Sequence, residues 1–302
     1  MSSRKRVPES GADADRQSPS VDRLSALLDR FRVRAALFHS GPLCGSTTFE
    51  AIPGRAFLHV LRRGSMEVRH PAGRGVQRKF AVAEPTLLLY SRPIEHVFIN
   101  PPRDGSDFTC ATLDFDGGDR NPLVSALPPL IRVPLREVEG LHSALDLLFA
   151  ETERVRCGSR LLADRLFEVV LIQLLRWLID HPQQVGITSG LIMGLADARL
   201  AKALIALHRS PAEDWPLPRM AAEAGMSRSA FDASFKEATG TTPAEYLSDW
   251  RLTLATSQIR SGQPVKLIAA GLGYASASSL SKAFKQRFGT SPREWSTTAP
   301  AK

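Results

Sequence analysis

Cysteine is scarce in this chain, with three in 302 residues. Three thiols cannot staple a secreted scaffold, so the composition points to a reducing, cytoplasmic setting and to cores held by apolar packing. Long apolar runs are missing too. The most apolar stretch, residues 161–179, is broken by Asp164, Arg165, Glu168, Gln173 and Arg176 and cannot span a bilayer, so no membrane partner is expected. The first twenty residues have basic side chains but no apolar core of a secretory signal. Their Ser, Pro and charge content reads as a disordered tail over 1–20.

Positive charge, by contrast, is in excess. The formal net charge is +8 and the sequence pI about 9.8, a balance that suits a polyanionic partner. Residues 197–302 hold 14 Lys plus Arg against 9 Asp plus Glu, so about a third of the chain carries +5 of the excess. A generally basic solvated surface would give the same sum, and charge alone does not decide between the two.

A duplication in that basic third is more specific. Phe235–Tyr246 reads FKEATGTTPAEY and Phe284–Trp295 reads FKQRFGTSPREW, an offset of 284 − 235 = 49 residues. Each copy follows an apolar helical segment, a glycine and a run of small residues. Helix, glycine turn, helix is the helix-turn-helix order, and two tandem copies indicate a duplicated DNA-binding unit. Gly225 and Gly273 supply the turns. Phe231 and Phe235 in the first copy, and Leu280 and Phe284 in the second, lie four apart and face a core. The complementary face is Arg228, Ser229, Asp232, Ala233 and Lys236 in unit one, and Ser278, Ser281, Lys282 and Lys285 in unit two. These nine residues are the candidate contacts to double-stranded DNA. Pro243 starts a long helix to Arg260, about 25 Å, that joins the units.

The first half has another texture. Short apolar runs (residues 32–38, 57–63, 66–70, 86–90, 96–100 and 108–115) recur every ten residues or so between Gly and Pro, the signature of a β-sandwich or jelly roll. From Glu137 the period becomes helical, with helices expected over 137–153 and 160–181. The second is apolar on more than one side, which fits docking onto the β-region or a homodimer interface equally well. The fold class is therefore α+β in two domains. The divisions are a sensor-sized β-domain at 21–135, a helical extension at 136–182, a linker at 183–196 and an all-α domain at 197–302.

On these motifs, residues 217–295 resemble the AraC/XylS-type DNA-binding domain, most closely through IAAGLGYASASSLSKAFKQRFGTSP in unit two. The resemblance implies a sequence-specific transcription regulator, an activator that contacts RNA polymerase. It also implies base-facing roles for Ser229, Asp232 and Ala233 and for Ser278, Ser281 and Lys282. Unit one departs from the pattern, because many relatives have arginine where Ala233 stands. Unit two is therefore expected to supply more of the specificity. LDFDGGDRNPLVSALPPLIRV, residues 113–133, is similar to the cupin-type sensor of one subgroup, and the H-x-H with spaced Glu and His of enzyme cupins is absent. No catalytic residue is expected.

The sensor holds Cys44 and Cys110, and His59 and His96 lie in its strands. Two Cys and two His could form a tetrahedral zinc set, though no short-spaced C-x-x-C supports it and no cofactor is required. The two thiols could instead pair reversibly on oxidation, as the subgroup resemblance implies, or all four could be ordinary core residues. A small organic effector in the barrel is the rival input. A metal-dependent cupin enzyme with an appended DNA module is the rival class.

Overall fold

Runs such as TLLLY are buried at every position because their sheet is covered on both faces. The computed structural model describes residues 21–72, 75–102, 105–154 and 156–297; the expected tail over 1–20 lies outside them. After a short helix α1 (Ser25–Leu28) come strands β1 (Val33–Leu43), β2 (Gly45–Phe49), β3 (Arg55–Arg63), β4 (Met66–Arg69), β5 (Lys79–Val82), β6 (Thr86–Tyr90), β7 (His96–Asn100) and β8 (Ser106–Phe115). Helix α2 (Pro122–Ala126) and β9 (Leu130–Pro134) complete the β-domain. One sheet has the order β1-β8-β3-β6-β9 and the other β2-β7-β4-β5, with antiparallel pairing throughout. Strands β2, β5 and β9 were not expected from sequence.

Alternation sorts the first sheet's side chains. Leu58, Val60, Leu87, Leu89, Ala111 and Leu113 turn toward the helices, while Phe57, Leu61, Leu88, Tyr90, Phe108 and Cys110 turn toward the second sheet. Helices α3 (Leu141–Glu153) and α4 (Ser159–Asp180) cover the outer side, burying Leu141, Leu145, Leu148, Phe167, Val170 and Leu174. Helix α4 also closes an edge. Strand β1 ends its sheet, and its Leu37 and Ala35 amides donate to Asp164 (2.7 Å) and Glu168 (3.4 Å). Two charges that interrupt the apolar run therefore serve an edge strand's unpaired backbone.

Residues 183–196, read from sequence as a linker, contain a 3-10 turn and helix α5 (Leu191–Ala196), with Leu191, Ile192 and Leu195 buried. Helix α6 (Ala198–Arg209) is capped by the Asp197 carboxylate, which accepts from the Arg199 and Leu200 amides. Unit one comprises α7 (Leu217–Glu223) and α8 (Arg228–Thr239), and α9 (Pro243–Arg260) leads to unit two, α10 (Val265–Gly271) and α11 (Ala277–Phe288). Helix α12 (Pro292–Thr297) closes the described chain. Thr242 and Glu245 form a capping box behind Pro243, which explains a proline at the start of an 18-residue helix of about 27 Å.

The two turn glycines are not equivalent. Both have positive φ, 62° at Gly225 and 75° at Gly273. A β-carbon at Gly225 would meet open space, whereas one at Gly273 would collide with the Ala212 carbonyl oxygen. Arg251 of α9 fixes that approach by donating to the Pro211 (2.7 Å) and Glu213 (2.9 Å) carbonyls. The turn of unit two is thereby packed on the segment that leads into unit one. Gly273→Ala should cost about 2–4 kcal/mol in urea denaturation and Gly225→Ala about 1–2 kcal/mol. Equal costs would contradict this packing.

Histidine is buried in both cores. His59, His96 and His208 are buried, and desolvation holds each below its ordinary pKa, His96 and His208 at about 3. Unfolded, each would take a proton near pH 6.5; folded, each stays neutral. Their contribution to stability is therefore complete above about pH 6.5 and falls as pH drops toward 3, by up to ~1.4 kcal/mol per pH unit for each ring. Urea midpoints should decline between pH 7.5 and pH 5, and less steeply in His208→Gln. A flat profile would show that the rings charge without penalty.

Candidate nucleic-acid interface and sensor site

The reading helices are set by their buried sides. In α8, Ser227 caps the Ala230 amide, and Phe231 and Phe235 are fully buried in ring contact at 5.4 Å. In α11, Ser276 and Ser279 cap each other's backbone amides, and Leu280 and Phe284 are fully buried. The same helical period turns the other face outward. Arg228, Ser229, Asp232, Ala233 and Lys236 are exposed, as are Ser278, Lys282 and Lys285, with Ser281 half-buried. Arg219 and Arg287 are engaged in ion pairs with Glu213 and Asp249. Arg228, Lys236, Lys282 and Lys285 form no ion pair among the described residues, which leaves four cations on the outward faces for phosphates or base edges.

Alignment of the caps gives an internal comparison. With the offset of 49, Asp232 corresponds to Ser281, Ala233 to Lys282 and Lys236 to Lys285. The turn of unit two is one residue longer, since two residues lie between Gly273 and Ser276 and one between Gly225 and Ser227. The scaffolds match while the outward chemistry differs.

Inside the β-domain, His59 and His96 come together, Nε2 to Nε2 at 3.0 Å. The His96 Nδ1–H donates to the Ile94 carbonyl (2.8 Å), so a neutral His96 can only accept at Nε2. His59 must then donate from its own Nε2, which leaves its buried Nδ1 as a lone pair without a partner. Tyr90 stacks on His96 at 3.8 Å, and its hydroxyl donates to the His70 Nε2 (2.9 Å). Phe49, Phe57 and Phe98 surround the two rings, so side chains fill the space between the sheets. Phe38, more than a third exposed at a bulge in β1, lies over Phe57 and His59 at about 6 Å.

The cysteines do not join this group as a pair. Cys110 is buried between the sheets, opposite His59 in the register of β3 and β8, and burial pushes its thiol pKa well up. Cys44 is exposed just past β1, against Gly105. Gly105, just before β8, and Cys110 within it are five residue steps apart, about 17 Å, whereas a disulfide needs α-carbons within about 7 Å. The expected thiol pair is therefore not assembled in this structure. The four-ligand zinc set fails for the same reason, and no group of three His, Cys, Asp or Glu among the described residues is placed to hold a metal ion.

Sequence reasoning did not reach the contacts between the halves. Phe31 meets Trp250 edge-on at 5.3 Å, and the Arg120 guanidinium lies 4.0 Å from the Trp295 ring centre. Arg260 donates to the Gly117 carbonyl (3.4 Å), and Arg30 to the Arg209 carbonyl (2.8 Å). Buried apolar residues form one continuous cluster from Leu24 to Trp295. Periodicity carries no signal for partners 219 (250 − 31) and 175 (295 − 120) residues apart.

Comparison with known proteins agrees with both halves. Residues 22–180 match the cupin family and residues 220–298 a helix-turn-helix domain family. A putative AraC-like transcription regulator of Streptomyces lividans is 30% identical over 303 residues, covering 92% of this chain and 97% of the relative. Another, from Streptomyces antibioticus, is 38% identical over 176 residues, 57% of either protein, so that match spans little more than half the relative. The RCS-specific HTH-type transcriptional activator RclR of Escherichia coli K12 is 27% identical over 242 residues, covering 78% of this chain and 82% of the relative. No helix among the described residues is long and apolar enough to cross a membrane. A cupin domain followed by two helix-turn-helix units with outward polar faces identifies the chain as a member of the AraC family of DNA-binding transcription regulators.

Proposed function

We propose that the β-domain is a sensor, not a catalyst, and that its state reaches DNA through the packed joint with α9 and unit two. The observation that carries this reading is the pair of aromatic contacts, Phe31 on Trp250 and Arg120 on Trp295, which tie the sensor to the helix joining the units and to the end of the second unit. A shift in sensor packing would change how the recognition helices are presented, a population shift between two arrangements. Activation through RNA polymerase is the output suggested by the family. The exposed Leu161, Leu162 and Val169 on the outer side of α4 support a homodimer contact.

Oxidation is the input we favour. Cys44 is the accessible thiol, and a relative 27% identical to this chain is named as an RCS-specific activator. Cys110, sealed and held as the thiol, would act second, after the strands open. A small organic effector has less support, because aromatic side chains already occupy the interior.

Three measurements follow. Cys44→Ser should abolish the promoter response to oxidant and Cys110→Ser should weaken it; an unchanged response in both would remove the redox input. Phe31→Ala should cost about 3 kcal/mol and split the calorimetric unfolding of the full chain into two transitions; a single unshifted transition would count against coupling. Lys282→Ala should weaken operator binding about tenfold while changing non-specific DNA binding far less. Equal losses would make Lys282 a phosphate contact.

A further inference from the structure

We propose that Asp232 makes the first unit a reader of cytosine in the major groove, so that the unit works by rejecting bases more than by adding affinity. This rests on the reading of α8 as a recognition helix. Asp232 is exposed on the face opposite the buried Phe231 and Phe235, beside Ser229 and Ala233. It forms no ion pair among the described residues, not even with Lys236 one turn on. The fold does not require a carboxylate here. Asp232 lies beyond the first turn of α8, where it would complement the helix dipole, and the corresponding position in unit two is Ser281.

A carboxylate facing DNA is an unusual choice, since phosphates on both sides of the groove repel it. The repulsion is offset only where a base presents a hydrogen-bond donor. Guanine and thymine offer acceptors in the major groove, N7 with O6 and O4 respectively. Adenine offers its N6 amino group, but N7 stands beside it and opposes the second carboxylate oxygen. Cytosine offers N4–H next to C5–H, with no acceptor adjoining on the same base. A group that can only accept therefore selects cytosine. Ser229 and Ala233 are too short to reach past it, so no longer arm competes for the same base. Arg228 and Lys236, at the two ends of the same face, remain for the backbone.

The test is selection of binding sites from random duplex DNA by the full-length protein, comparing wild type with Asp232→Ala, Asp232→Asn and Ser281→Asp. Wild type should enrich cytosine at one position of the half-site read by unit one, by about tenfold over other bases. Asp232→Ala should erase that preference, bind non-cognate DNA more tightly and leave the other half-site unchanged. Asp232→Asn should move the preference to adenine, whose N6 and N7 an amide can pair together. Ser281→Asp should create a cytosine preference in the second half-site. If Asp232→Ala raises affinity for all sequences without altering the selected motif, Asp232 is only a solvated charge and the proposal fails. If wild type enriches no motif at all, the recognition-helix reading fails instead.

Discussion

The structure depends on the packing of one indole. Trp250 sits in the middle of α9, stacks on His208 at 4.0 Å and receives the edge of Phe31. Those contacts join the helix between the reading units, the first helix of the DNA-binding half and the entry to the β-domain. An aromatic buried on three sides has little room to move, so whatever displaces it moves neighbours in both halves together. His208 can fill the position because it stays neutral, accepting or donating one hydrogen bond with Tyr246 at 2.7 Å. A charged ring there would lose its hydration and gain no counter-ion.

The β-domain presents a different arrangement. Barrels of this size either enclose a ligand or are filled by side chains. Here the filling is aromatic and imidazole, with ring-to-ring hydrogen bonds from His59 to His96 and from Tyr90 to His70, and with buried polar atoms of His59 and Asn100 left without a protein partner. Such an interior has little free volume, so its response to chemistry would be a change of packing. Phe38, set out of register by the bulge, is the ring over that interior with the most solvent contact.

Much of this was legible in the sequence, and the reasons are local. The duplicated FK…GT-(T/S)-P-x-E frame encodes buried Phe anchors, a glycine stop and a proline start, so the helices of the DNA-binding half emerged within a residue or two. Strands bounded by Gly and Pro were also readable. Strands β2, β5 and β9 were missed because GSTTF is polar, KFAV is four residues long and LIRVP ends in proline. Helix α5 within residues 183–196 was not legible because QQVGITSGLIMG mixes turn residues with Leu191 and Ile192, whose burial depends on partners far along the chain. The outward face of each recognition helix could be derived from its period. The positions of the cysteines could not, because strand order and register are non-local and decide which interior a side chain enters. Cys110 lies within β8, whereas Cys44 falls just past the end of β1, near the start of β8 and about five residues along from Cys110.

Asp164 and Glu168 occupy the amides of β1 that a visiting strand would need, so at residues 35–37 the first sheet is closed to lengthening by a neighbouring molecule. Pairing of a second strand is thereby blocked over this part of the longest edge strand. The same two charges that interrupt the apolar run of α4 thus guard this stretch of sheet edge against ribbon-like extension.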